Sequence, residues 1–185
     1  MKKTWLVTGT YTGFGKELAT QLAQRDDVNL VATSRKAGQL DYLDQYNHCQ
    51  IAKFILDVTN HEQVVNGAKD AVTTFGTVDV LVNNAGLGYF GTFEESNLAD
   101  AKYMFDVNVW GLVDITREIL PIMHKQKSGV IVNFSSIGGL YSFPILAFYH
   151  GTKYAVEGIT ESIAKEVKDL GIKTMLVEPN GFRTD

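Results

Sequence analysis

The sequence predicts an α/β fold: a doubly wound parallel sheet of the Rossmann type, with helices on both faces in three α/β/α layers. Three observations carry this. Six apolar runs of strand length recur along the chain, they alternate with longer amphipathic segments, and the first of them runs into a glycine-rich turn that opens a helix. Parallel strands covered on both faces read as near-continuous apolar runs, which is what these segments are.

In chain order, a strand over Thr4 to Val7 is followed by a helix over Gly13 to Arg25, and a strand over Asn29 to Thr33 by a short helix over Gln39 to Tyr46. A strand over Ile51 to Leu56 leads to a helix over His61 to Phe75, and one over Val78 to Val82 to a long helical pattern over Leu98 to Gln126. The strand Val130 to Phe134 precedes a second long helix over Ile145 to Leu170, and Thr174 to Val177 forms the sixth strand. Of the three prolines, Pro179 follows that strand, where a sharp exit toward a ligand is expected. No low-complexity tract, repeat or charge run marks a linker.

At 185 residues and 45% hydrophobic, the chain supports one buried core, so residues 1–185 are read as a single domain. Its net charge of -4, with scattered basic residues, argues against nucleic acid as a partner. The one cysteine, Cys49, allows no intramolecular disulfide and no Cys-rich metal site; a reducing, cytoplasmic setting fits, and Cys49 reads as a packing residue. Met1-Lys2-Lys3 with Trp5-Leu6-Val7 is too short for a signal peptide, and no run approaches ~18 apolar residues, so no membrane partner is expected. His48, His61, His124 and His150 include no pair at i, i+4 spacing, and no metal is expected.

The first strand leads into Thr8-Gly9-Thr10-Tyr11-Thr12-Gly13-Phe14-Gly15. Gly9 permits a tight turn, Gly13 lets the backbone approach a pyrophosphate, Gly15 allows close helix–strand packing, and the helix N-terminus offers N–H groups to an anion. Gly9, Thr12, Gly13, Phe14 and Gly15 are therefore candidate dinucleotide contacts, although such a turn taken alone also serves packing. An acidic residue after the second strand would bind the ribose hydroxyls and repel a 2′-phosphate. Here the chain reads Thr33-Ser34-Arg35-Lys36, which favours NADP over NAD, with Ser34 and Arg35 as phosphate contacts. The alternative is that Arg35 and Lys36 are solvated loop residues.

Tyr149 and Lys153 lie four apart in a helical pattern, on one face and one turn from each other. A cation beside a phenol favours phenolate, which suits a tyrosine to exchange a proton with a carbonyl or hydroxyl oxygen. The spacing is weak evidence alone, because amphipathic helices offer such pairs by chance. It is joined by Asn133-Phe134-Ser135-Ser136 and Val82-Asn83-Asn84-Ala85-Gly86, which end two strands at the C-terminal edge of the sheet, where open α/β folds bind ligands. Asp106-Val107-Asn108-Val109-Trp110-Gly111 lies in the long helical pattern between them.

Together these motifs resemble the compact single-domain branch of the short-chain dehydrogenase/reductase family. The resemblance runs from Thr8 to Gly15 through Asp57-Val58-Thr59, Asn83 to Gly86, Asn108, Ser135-Ser136 and Tyr149 to Lys153, ending at Pro179 to Thr184. It implies an NADP-dependent oxidoreductase moving hydride between the cofactor and an alcohol or carbonyl. Ser136, thirteen residues before Tyr149, would bond the substrate oxygen. Tyr149 would transfer the proton, Lys153 would favour the phenolate and hold the nicotinamide ribose, and Asn108 would anchor a proton-relaying water chain. Asp57 would bond the adenine amino group with Val58 beside the ring, while Asn84, Ala85, Gly86 and Pro179 would line the cofactor and Thr184 would bond its carboxamide. Asn83 would steady the central sheet and border the cofactor. Tyr11 and Thr12 stand where the family carries small residues, and Asn180 where it carries glycine.

The segment Gly138 to Phe148, with Leu87, Gly88, Tyr89 and Phe90, reads as an apolar substrate pocket. Ser135 reads as bonding backbone at the strand end. His150, next to Tyr149, points off the catalytic face and is expected at the surface. By resemblance, a substrate lid and seventh strand are missing, so the chain reads as truncated, with the sixth strand an open edge and homo-oligomers forming through the long helices. A nicotinamide-binding redox sensor or regulator without turnover is the second reading. A sugar-nucleotide epimerase or dehydratase, which shares the Tyr-x-x-x-Lys pair, is the third.

Overall fold

A computed structural model describes residues 2–46 and 49–181. Six strands form one sheet: β1 (Lys3–Val7), β2 (Val28–Ser34), β3 (Ile51–Ile55), β4 (Val80–Asn83), β5 (Gly129–Phe134) and β6 (Ile172–Val177). Every neighbouring pair is parallel, and the order is β3-β2-β1-β4-β5-β6. The order reverses between β1 and β4, and at such a switch point the loops leaving the C-terminal strand ends diverge into a crevice.

The helices are α1 (Gly13–Ala23), α2 (His61–Phe75), α3 (Leu98–Phe105), α4 (Leu112–Gln126) and α5 (Ala147–Val167). Local chemistry sets several ends. Asn60 accepts from the Gln63 N–H at the start of α2, and Gly76 closes that helix in the left-handed region at φ 80°. Asn97 accepts from the Ala99 N–H at the start of α3. The long pattern from Leu98 to Gln126 is continuous in space but carries a π-helical turn over Asp106–Gly111, which separates α3 from α4. The short helix expected over Gln39 to Tyr46 is a 3₁₀ helix over Asp41–Tyr46. α5 begins at Ala147, because Ile145 takes φ 63° and cannot belong to a right-handed helix.

Successive strand residues face opposite sides of the sheet, so Leu6 and Val7 belong to two different cores. Leu6, Val31, Leu81 and Ile131 pack against Val64 of α2 and Ile115, Ile119 and Met123 of α4. Val7, Leu30, Val80 and Val82 pack against Ala19 and Leu22 of α1. Each fully buried side chain of this kind contributes about 1.5–3 kcal/mol. Among the described residues β6 pairs only with β5 and forms one edge of the sheet, β3 the other, with Met175 exposed. Cys49 is exposed and not packed as expected, lying in the turn that precedes β3.

Candidate active site

A cleft of about 650 Å³ opens at the C-terminal ends of β1, β4 and β5. Its walls are the glycine turn (Gly9, Tyr11, Thr12, Gly13, Phe14), the end of β2 (Ser34, Arg35), Asp57 and Val58 after β3, and Asn84 to Gly86 after β4. Ser136, Tyr149, His150 and Pro179 close the other end.

The glycine turn owes its shape to two backbone requirements. Gly9 and Gly13 take φ of 69° and 57°, which other residues adopt only at a cost, and a side chain on Gly9 would come within 2.9 Å of the Ala85 Cα. Gly15 lies outside the cleft wall; any Cβ there would collide with the Asn84 side chain and the Gly9 carbonyl. Asn84 braces the turn, donating from Nδ2 to the Thr8 and Gly9 carbonyls at 3.0 Å each. The Thr8 hydroxyl accepts from the N–H groups of Asn84 and Ala85. Thr12 precedes α1 without a side-chain cap bond, so the first helical N–H groups are not satisfied by it. This cradle fits a pyrophosphate.

At the end of the cleft beside β2, Ser34 is buried and donates to the Lys36 carbonyl. Arg35 is exposed, donates to the Tyr103 hydroxyl at 3.1 Å, and makes no ion pair among the described residues. Asp57 accepts from both the N–H and the hydroxyl of Thr59.

Lys153 is 7% exposed, and its Nζ lies 5.7 Å from the centre of the Tyr149 ring while donating to the Phe134 carbonyl at 2.8 Å. Burial pushes its ammonium down to about 8, with Glu157 opposing in part. Lys153 sits behind Tyr149 and does not itself line the cleft. Ser136 starts a 3₁₀ turn, accepting from the Gly138 N–H and donating to the Pro179 carbonyl at 3.4 Å. That long bond leaves its hydroxyl easy to redirect. Ser135 pairs through its N–H with the Val177 carbonyl, but its hydroxyl is buried without a partner among the described residues, so the expected side-chain bond to backbone is not formed.

Asn108, in the π-helical turn, is buried below the cleft. Its amide accepts from the Leu87 N–H and donates to the Leu87 carbonyl and the Thr152 hydroxyl. Thr152 in turn donates to the Tyr149 carbonyl, so Asn108 is tied to the helix that carries the tyrosine and lysine. Asn83 lies under the cleft and does not border it. It donates to Thr116 and to Asn133, and Asn133 donates to Thr160 of α5. This buried chain locks α4, β4, β5 and α5 in register, and only Asn83 of its members stood out in the sequence.

His150 is the main correction. Expected at the surface, it is 4% exposed and lines the cleft. Its Nδ1 lies 2.7 Å from the Gly138 carbonyl, and its Nε2 accepts from the Phe143 N–H at 2.7 Å. Helical spacing does turn it away from the Tyr149 face, but the loop after Ser136 folds back and covers that side of α5. The pocket is also narrower than expected. Leu87, Gly88, Phe90, Gly138, Phe143 and Leu146 line it, whereas Tyr89, Leu140 and Tyr141 do not. Tyr89 accepts from the Asn97 N–H, and Leu140 and Tyr141 are exposed. Thr184 lies outside the described residues, as does His48.

A parallel sheet in this order, with a glycine cradle at its switch point and a tyrosine across the same cleft backed by a buried lysine, defines the dinucleotide-binding class of α/β oxidoreductases. The chain belongs to the short chain dehydrogenase family, whose model matches residues 3–185. It is similar to the oxidoreductase BOA17 of Botryotinia fuckeliana, 36% identical over 186 residues that cover 100% of this chain and 68% of the relative. Among solved structures it resembles ElxO with NADP bound, at TM-score 0.94 and 36% identity, covering 100% of this chain and 76% of that one. It also resembles a short chain dehydrogenase/reductase from Burkholderia phymatum in complex with NAD, at TM-score 0.92 and 32% identity, covering 99% of this chain and 67% of that one. The chain spans 62–68% of the length of the first five curated relatives it matches. Among the described residues, no helix is long and apolar enough to cross a membrane.

Proposed function

We propose that this chain is the cofactor-binding and catalytic domain of an NADP(H)-dependent oxidoreductase that interconverts an apolar carbonyl compound and its alcohol, with Tyr149 as general acid and base. The observation that carries the reading is the convergence of Ser136, Tyr149 and the glycine cradle on one cleft, with the Lys153 Nζ buried 5.7 Å from the tyrosine ring. When bound, the nicotinamide supplies or takes the hydride. In the reducing direction Ser136 donates a hydrogen bond to the carbonyl oxygen, and Tyr149 gives its proton to that oxygen as negative charge develops on it. Lys153 stabilises the phenolate left behind, and it would hold the ribose by turning its ammonium from the Phe134 carbonyl toward the cleft. Both ends of the Asn108 side-chain amide are engaged, which supports its main-chain carbonyl, in the π-helical turn, as the anchor for the water chain that would reprotonate Tyr149.

The preference for NADP rests on Arg35, an exposed cation at the end of β2 without an ion pair among the described residues. Ser34 and Arg35 would hold the 2′-phosphate, and Asp57 and Val58 the adenine. Phe90, Phe143, Leu87 and Leu146 support an apolar substrate. The exposed Tyr103, Trp110 and Tyr154 on and between the long helices support association of like chains there, and the single cysteine suits a cytoplasmic setting.

The test is to mix the protein with NADPH and a panel of apolar aldehydes and ketones and follow the loss of reduced-nicotinamide absorbance. Consumption that Tyr149→Phe abolishes is the expected result, and turnover that survives the substitution would remove Tyr149 from its role. Tight NADPH binding without turnover of any carbonyl would favour a redox-sensing or regulatory protein instead.

A further inference from the structure

We infer that His150 is a positioning residue whose neutral imidazole fastens the loop between Ser136 and Tyr149 and so sets the apolar wall of the substrate pocket against the reacting tyrosine. The inference rests in part on the proposed carbonyl chemistry at Tyr149. The two bonds of the ring define its state. Nε2 accepts from the Phe143 N–H, so it carries no proton, and the ring proton therefore sits on Nδ1, facing the Gly138 carbonyl 2.7 Å away. Both nitrogens are thus used, one as donor and one as acceptor, on two points of one loop five residues apart in sequence.

The loop has little else to hold it at this end. Leu140, Tyr141, Phe143 and Ile145 are all substantially exposed, so few buried apolar contacts order it. Ile145 takes φ 63°, a conformation that strains a β-branched residue, and it persists with its carbonyl accepting from the Gly91 N–H at 2.9 Å. A strained, weakly buried segment requires specific anchors. His150 provides two, and its ring also packs against that of Phe143, 5.7 Å between centres. Gly138 fits this role, because a Cβ there would lie 2.9 Å from the His150 Nδ1. Since the loop starts at the residue that would bond the substrate oxygen and ends at the proton donor, fastening it fixes the distance from apolar wall to reacting group.

The two bonds can be separated by substitution. His150→Asn keeps a donor near the Nδ1 position and loses the Nε2 acceptor, whereas His150→Gln can place an acceptor near Nε2. The first measurement is amide hydrogen exchange at Phe143 in the full chain. Exchange should be roughly tenfold faster in His150→Asn than in wild type, the loss of about one hydrogen bond, and close to wild type in His150→Gln. The second is kinetic: His150→Asn should raise KM for an apolar carbonyl by roughly tenfold with kcat and the NADPH dissociation constant little changed, and His150→Gln should restore it.

Equal Phe143 exchange in wild type and His150→Asn would overturn the proposal, as would a parallel loss of kcat and NADPH affinity, which marks a merely structural residue. If His150→Asn does not fold, the ring nitrogen chemical shifts of wild-type His150 decide the matter: a proton on Nδ1 supports the proposal and a proton on Nε2 overturns it. Lost Phe143 protection in a protein that reduces no carbonyl would support the clamp while overturning the reductase reading, so the two failures are distinguishable.

Discussion

At the end of the cleft beside β2, Gly9 and Gly13 turn the main chain through positive φ, the Thr8 hydroxyl and the Asn84 amide bond only backbone groups, and α1 starts without a side-chain cap from Thr12. At the end beside α5, the loop from Ser136 to Leu146 leaves most of its apolar side chains exposed and is pinned by one imidazole and one strained isoleucine. The contrast follows from what each end would bind. A pyrophosphate asks for a fixed array of N–H groups, which backbone geometry supplies and glycine permits. A substrate asks for shape, which must be built from side chains on a segment free to vary. One end is therefore specified by residue type at fixed spacing, and the other by contacts made from a distance.

Substitutions at each end sharpen or break that comparison. The largest effect is expected from Tyr149→Phe, which should lower kcat about 10³-fold while leaving NADPH affinity close to wild type. Stopped-flow turnover and fluorescence titration check it, and a loss of both together would mean that the two ends are not separable.

Next comes the pH dependence set by Lys153. Its folded value of about 8 lies below the ordinary 10.5 because burial disfavours the charged ammonium. Below about pH 8 the folded state carries that buried charge and its full cost; between about 8 and 10.5 the unfolded chain binds a proton that the folded chain does not, so stability rises with pH. Over that window cofactor-free wild type should gain on the order of 3 kcal/mol relative to Lys153→Met, from urea unfolding at each pH. A flat difference would show that the ammonium is already solvated.

Gly15→Ala probes the other end, where the new methyl meets Asn84 and the Gly9 carbonyl. Overpacking of this kind costs about 1–3 kcal/mol, and it should appear both as a lower Tm and as weaker NADPH binding, because the cradle must shift. The smallest effect is expected from Arg35→Ala. Losing one exposed, charge-assisted contact should weaken NADPH by roughly tenfold and leave NADH unchanged, by isothermal titration. An equal loss for both would make Arg35 a solvated loop residue after all.

Much of the glycine-turn end is legible in the sequence alone. Glycines at 9, 13 and 15 after an apolar strand announce their turn, and each meets a constraint that another residue would violate or strain. Even there Asn84 was assigned to the cofactor alone, and its bracing of the turn depends on β1 and β4 lying side by side. At the substrate end the tyrosine–lysine pair is legible from one helical turn of spacing, but the burial of His150 is not. Periodicity tells which face of a helix a residue occupies; it does not tell whether a loop folds back over that face. The same reason hid the outward direction of Leu140 and Tyr141 and the exposure of Cys49.

By itself, then, the sequence determined the alternation of strands and helices, the glycine turn and the one-turn spacing of Tyr149 and Lys153, because these depend on short-range sterics and on the 3.6 and 2 residue periods of the two regular structures. Only the tertiary structure decided the buried chain from Thr116 through Asn83 and Asn133 to Thr160, the π-helical turn that carries Asn108, and the imidazole that fastens the substrate loop. The first and last of these pair buried polar groups, while the Asn83 Oδ1 keeps no partner among the described residues. Which groups are buried is settled only when the elements and their connecting loops pack together.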